Sequence, residues 1–179
     1  MTQLRGAVLA SILALIPALS ACRGKSTPST QDVTPIGVKQ TLNGLLVIDA
    51  PPPFTLVETR GNVVMLESRK GASLEVLMFM AVKEAPAAID DFAKPLEAAV
   101  LRAHADYANH LREPTKCLGE DALRIAGTFG SGATRTYRNA CYFFHRGNGF
   151  ALVYTLAFDV PAQRRVQLEE ILAKSSFPP

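Results

Sequence analysis

Histidine is scarce in this 179-residue chain, which has three: His104, His110 and His145. None belongs to a His-Glu-x-x-His motif, and no Cys-x-x-Cys occurs. His104 and His110 flank Asp106, but side chains six positions apart on a continuous helix point to opposite sides, so the pair makes no metal cluster. His145, beside Arg146 at a strand end, reads as a surface residue. No glycine-rich loop followed by Lys-Ser/Thr is present to cradle a phosphate. Gly130-Ser131-Gly132 lacks the Gly-x-Ser-x-Gly spacing of a nucleophile elbow and falls where a hairpin turn is expected. These absences leave no catalytic residue, metal ligand or cofactor site to name. Blocks of charge are missing too. The formal net charge is +3 and no run of like charges exceeds a pair, which excludes the basic footprint of a nucleic-acid binder. Nor is there an internal repeat.

Long apolar runs are also absent. The stretch Ala7 to Leu19, interrupted by Ser11, is about thirteen residues, whereas a spanning helix needs roughly 20. It has the length of a secretory core segment, and Arg5 is the one charge ahead of it. The stretch ends in Leu19-Ser20-Ala21-Cys22. Through these four residues the segment resembles the signal of bacterial lipoproteins. That resemblance implies cleavage before Cys22, a thioether-linked diacylglycerol on its sulfur, and an acyl chain such as palmitate on the new amino terminus. Two or more chains give lasting attachment where one does not. Arg23, rather than Asp, after the cysteine implies the outer membrane, facing the periplasm, if the source is Gram-negative. An ordinary signal peptide cut near Ala21, leaving Cys22 a free thiol, is the other reading. The expected organisation is a signal peptide over 1–21, a lipidated cysteine and flexible tether over 22–43, and a single domain over 44–179. The tether is assigned because Arg23 to Lys39 is rich in Ser, Thr, Pro and charge and has too few apolar residues to repay ordering.

Of three cysteines, acylation of Cys22 leaves two in an oxidising compartment, so Cys117 and Cys141 are expected to pair. There is a conflict. With a turn centred on Ser131-Gly132, Cys141 faces Ala122, and the bridge then needs a bulge, a bend before Leu118 or another strand neighbour. Two separate buried thiols are the alternative.

Within the domain, Gly44 to Asp49 reads as a strand, Ala50-Pro51-Pro52-Pro53 as a stiff lead, and Phe54 to Glu58 as a short edge strand. Val63 to Ser68 and Ser73 to Val82 follow as strands. In the second of these, Leu74, Val76, Met78, Met80 and Val82 form the uniformly apolar face and are expected to face the core. Ile89, Phe92, Leu96, Val100, Ala103, Tyr107 and Leu111 recur at steps of three and four, predicting a long helix that Pro95 kinks or splits. His110 to Pro114 reads as transitional, holding a short strand or a turn. Glu120 to Thr128, Thr134 to Phe144 and Phe150 to Phe158 predict a three-stranded antiparallel meander. The last strand has large residues on one face and small ones on the other, so it is expected at the sheet centre. A final helix starts at Val160-Pro161 with Leu168, Ile171 and Leu172 inward, and Phe177 packs back on the domain. The class is α+β, an antiparallel sheet packed by a long central helix and a C-terminal helix.

The Ala50-Pro51 lead with Phe54, the run Phe150 to Phe158, and Ile171 through Ser176-Phe177 are similar to the PsbP-like and DcrB-like α/β/α sandwich group. That resemblance implies a non-enzymatic binding or assembly-assisting protein; it supplies no catalytic residues to transfer. One constellation suggests a surface for a protein partner: Arg135, Tyr137 and Arg138, with Tyr142 further along the same strand. Arginine offers forked donors and tyrosine a flat amphipathic contact. Arg135 and Tyr137 share a face and Arg138 points the other way; exposed arginines on a sheet rim are the plainer reading. The expectation is a non-catalytic envelope lipoprotein, held to the membrane through acylated Cys22, that binds a protein partner or envelope component. Three alternatives remain: an immunity lipoprotein that caps a toxin, a lipid or small-ligand carrier, and a periplasmic hydrolase using His104 or His145.

Overall fold

The computed structural model describes residues 37–70 and 73–179. The signal segment, Cys22 and Arg23 lie outside the described residues. The chain order is β1 (Val38–Leu42), β2 (Leu46–Ala50), β3 (Thr55–Arg60), β4 (Val63–Lys70), β5 (Ser73–Val82), α1 (Ile89–Ala103), β6 (Ala108–Cys117), β7 (Glu120–Phe129), β8 (Thr136–His145), β9 (Asn148–Ala157) and α2 (Ala162–Ala173). Seven strands form one antiparallel sheet in the order β3-β4-β5-β9-β8-β7-β6, and β1 pairs with β2 as a separate hairpin. The fold is the expected α+β sandwich.

Strand β9 occupies the middle position. Its large residues Phe150, Leu152, Tyr154 and Leu156 pack in one core with α2 and the β1–β2 hairpin. Its small residues Ala151 and Val153 face a second core built on Phe92, Ala93 and Leu96 of α1. Unequal side chains on the two faces of one strand thus set two cores of different depth, the larger under α2. Leu168, Ile171 and Leu172 are the buried residues of α2, as periodicity predicts. Phe177 packs edge-on against Phe143 and Phe150. The backbones of Val47 and Ser176 exchange two hydrogen bonds, so the C-terminal segment is sewn to β2.

Four expectations need correction. Val38–Leu42 is strand β1, so the folded unit takes in residues before 44. In β5 the more deeply buried face is Glu75, Leu77, Phe79 and Ala81, because the β1–β2 hairpin and α2 cover it; Met78 and Val82 are only partly buried under α1. The helix runs unbroken through Pro95 but stops at Ala103, and His104 is extended. Tyr107 and Leu111 continue the helical spacing by coincidence: the segment from Ala108 is strand β6, ten residues long and mostly exposed. Pro114 is tolerated there because β6 is an edge strand. Tyr107 is nonetheless buried, its ring lying over Gly127, where a Cβ would fall 2.7 Å from it and 2.4 Å from the Ala108 carbonyl oxygen.

Cys117 and Cys141 are bonded, with Cα atoms 6.7 Å apart. The turn between β7 and β8 includes a 3-10 segment, Gly132–Thr134, so Cys141 pairs with Arg124 and not Ala122. Cys117 and Cys141 flank β7 on the same face of the sheet. Adjacent strands lie about 4.8 Å apart, so two strand widths exceed the observed separation and the end of β6 leans over β7. Leu118 and Gly119, both with positive φ, make the tight turn that follows. A separation of 24 residues gives the bridge about 3.5 kcal/mol on the loop-closure model. The Cys117→Ser/Cys141→Ser double variant is expected to lose about 3 kcal/mol in denaturant unfolding. Mass spectrometry after alkylation should find neither residue labelled until reductant is added.

Candidate functional site

Of the four residues singled out, Tyr137, Arg138 and Tyr142 lie on β8 and divide between its two faces, and Arg135 just precedes the strand. Arg138 and Tyr142 point towards α1 and are buried, 5% and 0% exposed. Arg138 Nη1 donates to Glu97 Oε1 at 2.8 Å and Nη2 to the Tyr142 hydroxyl at 2.8 Å. Tyr142 in turn donates to the same Glu97 oxygen, and Tyr107 lies 3.4 Å from Nη1. Burial works against the Arg138 charge, but Tyr142 and Glu97 outweigh it and hold the guanidinium firmly protonated. Burial pushes the Tyr142 hydroxyl up, keeping it a neutral donor. Arg138 and Tyr142 therefore cannot meet a partner; they clamp α1 to the sheet. Sequence reasoning placed them at the surface because their counter-charge, Glu97, is 41 residues away. Its signal was a carboxylate between Ala93 and Val100 on the buried stripe of α1.

Arg135 and Tyr137 do reach the surface, and the structure adds two residues to them. The Arg135 guanidinium lies 3.9 Å from the Phe158 ring centre. That of Arg165 lies 4.2 Å from the centre of Tyr137 and 5.8 Å from that of Phe158. Arg165 Nη2 also donates to the Phe158 carbonyl at 3.2 Å. Among the described residues neither arginine has a carboxylate within 4.0 Å, whereas Arg69, Arg112, Arg124, Arg138 and Arg164 all do. Arg135 Nη2 likewise donates to Thr128 Oγ1 at 3.4 Å, so each guanidinium is held over a ring and by one hydrogen bond, with Nη1 left over on both among the described residues. Arg165 was legible in principle, since Arg165, Leu168 and Leu172 share one stripe of α2.

Beside this cluster lies a cleft of about 310 Å³ between α2 and strands β6 to β9. Its floor holds Arg124, Asn139, Cys141, Leu152 and Tyr154, and α2 contributes Val166 and Glu169. Asn139 Nδ2 donates to the Tyr154 hydroxyl and to Glu169 Oε1, each at 3.1 Å. Tyr154 donates to the same carboxylate oxygen at 3.2 Å, and Arg124 reaches the other at 3.5 Å. Burial raises the Tyr154 pKa well above that of a free tyrosine.

The three histidines are dispersed. His104 stacks on Phe129 with ring centres 3.9 Å apart. His110, the bulged residue of β6, meets Thr128 Oγ1 at 2.7 Å. His145 Nδ1 contacts Glu120 at 2.7 Å while its ring stacks on Phe177. The Nε2 atoms of His104 and His145 are buried and have no hydrogen-bond partner among the described residues. Among the described residues no three His, Cys, Asp or Glu side chains converge.

No family model matches the chain, and no curated protein matches it. Solved structures match it in shape. The cyanobacterial PsbP protein CyanoP of Synechocystis superposes with a TM-score of 0.61 at 13% identity, covering 89% of this chain and 99% of that one. A Pseudomonas aeruginosa protein of unknown function gives 0.54 at 8% identity, covering 80% and 98%. A Bacteroides thetaiotaomicron protein gives 0.57 at 13% identity; 80% of this chain spans 49% of that larger one. The chain has the PsbP-like fold, and likeness at these identities extends to the fold alone.

Two outcomes test the site geometry. Glu97→Leu leaves Arg138 buried and unpaired, and is expected to cost about 3–5 kcal/mol in urea unfolding; adding Arg138→Met should recover most of that. The second concerns pH. Burial lowers the His104 pKa, with Asp106 opposing and Arg138 assisting. Its ordinary value is 6.5, so below that pH the unfolded chain takes up the proton first. The stability tied to neutral His104 is complete above about pH 6.5 and falls as pH drops through the folded value. His104→Phe, which keeps a ring on Phe129, should lose less stability between pH 7 and pH 5 than the wild type does.

Proposed function

We propose that the protein is a cell-envelope lipoprotein whose single domain binds a protein partner and carries out no chemistry itself. The observation that carries the binding role is the pair Arg135 and Arg165, stacked on Phe158 and Tyr137 at the surface without a carboxylate of their own among the described residues. Elsewhere the polar side chains that resemble active-site groups are already engaged inside the fold. His145 is held by Glu120 and Phe177, and Arg138 by Glu97 and Tyr142. The anchor is Cys22, by its likeness to lipoprotein signals, with Arg23 favouring the outer membrane. Acyl chains confine the domain to a thin layer at the bilayer and raise its effective concentration for partners there. Among the described residues no helix is long and apolar enough to cross a membrane.

A second reading, a carrier of small ligands, is favoured by the cleft of about 310 Å³. Within it Asn139, Tyr154 and Glu169 form a polar cluster beside the apolar Leu152, Val166 and Leu172, a mixed lining suited to an amphipathic ligand.

Membrane fractionation and crosslinking test the proposal. Wild type is expected in the membrane fraction with acyl mass on Cys22, and Cys22→Ser in the soluble fraction. Crosslinking in intact cells should recover one protein repeatedly with wild type. Recovery of lipid alone would favour the carrier reading, and a Cys22→Ser variant that stays with the membrane would remove the anchor.

A further inference from the structure

The stacked arginines and the cleft are parts of one groove. On β8, Tyr137, Asn139 and Cys141 alternate onto the α2 face, with about 6.6 Å between successive members. On α2, Arg165 and Glu169 lie one turn apart, about 6 Å along the helix. Arg165 covers Tyr137 and Glu169 bonds Asn139, so α2 runs alongside β8 and the two ladders keep step. The arginine pair therefore stands at one end of the cleft, and the Cys117–Cys141 bridge lines the other. Helix α2 is one wall. The opposite side is a shelf along the β6 margin of this face, which no helix or strand covers among the described residues: Leu111 is exposed, and Glu113 and Thr115 are half-buried.

We infer that this groove receives an extended segment of a protein partner, and that an acidic side chain of that segment is held by Arg135 and Arg165. The inference deepens the proposed binding role and rests on it. Three observations point to this occupant. Charge complementarity is the first: the two guanidiniums at the mouth lack carboxylates among the described residues, while within the cleft Arg124 is already shared by Glu113 and Glu169. The charges lining the cleft itself, Lys116 and Arg124 against Glu169 and Glu170, balance, so the surplus positive charge stands at the mouth. Shape is the second. A trough walled by a helix on one side suits a chain in extended form better than a flat bilayer of headgroups. Geometry is the third: each guanidinium is held in place over an aromatic ring and by one Nη2 hydrogen bond, which leaves Nη1 set to donate to a carboxylate.

The test is selection of short peptides from a random displayed library on the full-length acylated protein in detergent. Enriched peptides are expected to carry Asp or Glu at one fixed position. For a chosen peptide, replacing that residue by Asn or Gln should weaken binding about tenfold, as should Arg135→Gln or Arg165→Gln. Arg165→Lys, which keeps charge but loses the fork, should fall between. The change on the peptide side leaves the protein untouched, so a folding defect in an arginine variant cannot mimic the result. Three outcomes would overturn the inference: enriched peptides with no acidic position, equal binding by the arginine variants, or displacement of the peptide by anionic vesicles but not by free glutamate-rich peptide. If crosslinking still recovers a constant protein partner in any of those cases, the binding role stands and only this groove is wrong.

Discussion

Strand β9 has to be dry on both sides. It sits between β5 and β8 with bulky side chains on one face and small ones on the other, and an apolar surface of that kind is stable only when each face is covered. Much else follows from this requirement. The small face admits α1 close to the sheet, near enough for Glu97 to reach Arg138 and Tyr142. The large face holds its cover further off and needs two pieces to do the work, α2 over β8 and β9 and the β1–β2 hairpin over β4 and β5. Neither piece extends to β6, and the open margin is where the groove lies.

The polar contacts divide according to this layout. Those between the layers are short: buried Arg138 with Glu97, and part-buried Arg164 with Glu75 through two bonds at 2.7 and 2.5 Å that tie the start of α2 to β5. Such pairs contribute little net stability, since desolvation offsets attraction, but they penalise any other seating of the helices. Those at the open margin are looser. Arg124 shares two carboxylates at 3.5 and 3.9 Å, and Arg135 and Arg165 rest on rings and have no carboxylate within 4.0 Å among the described residues. A single side-chain type thus serves rigidity in one place and exposure in another, and its counter-ion decides which.

How far sequence led depended on whether a residue's neighbour was local. The faces of β9, the inward stripe of α2, the meander turns and the return of Phe177 all follow from period and turn chemistry, and all appear in the structure. Of strand β6 only a short strand or turn over His110 to Pro114 was legible, because a mostly exposed edge strand has no hydrophobic alternation to show and Pro114 argued against it. Strand β1, Val-Lys-Gln-Thr-Leu, looked like tether for the same reason. The buried face of β5 was misjudged since its cover arrives from a hairpin more than twenty positions upstream, which no local pattern encodes. Of the candidate site, Arg135 and Tyr137 were found. Arg165 and Phe158 were not, because only the packing of α2 along β8 brings them together.

The hairpin β1–β2 has a mechanical consequence. Val38 pairs with Ala50, so the chain enters and leaves this hairpin at the same end, with the turn at Asn43-Gly44 pointing away. A pull on the amino-terminal side loads one rung at a time, from Val38 towards Leu42, instead of shearing all rungs together. Ser176 meanwhile holds β2 in place through Val47. Strand β1 can therefore peel away under modest tension, adding reach to whatever precedes it, while the seven-stranded sheet and its groove keep their shape.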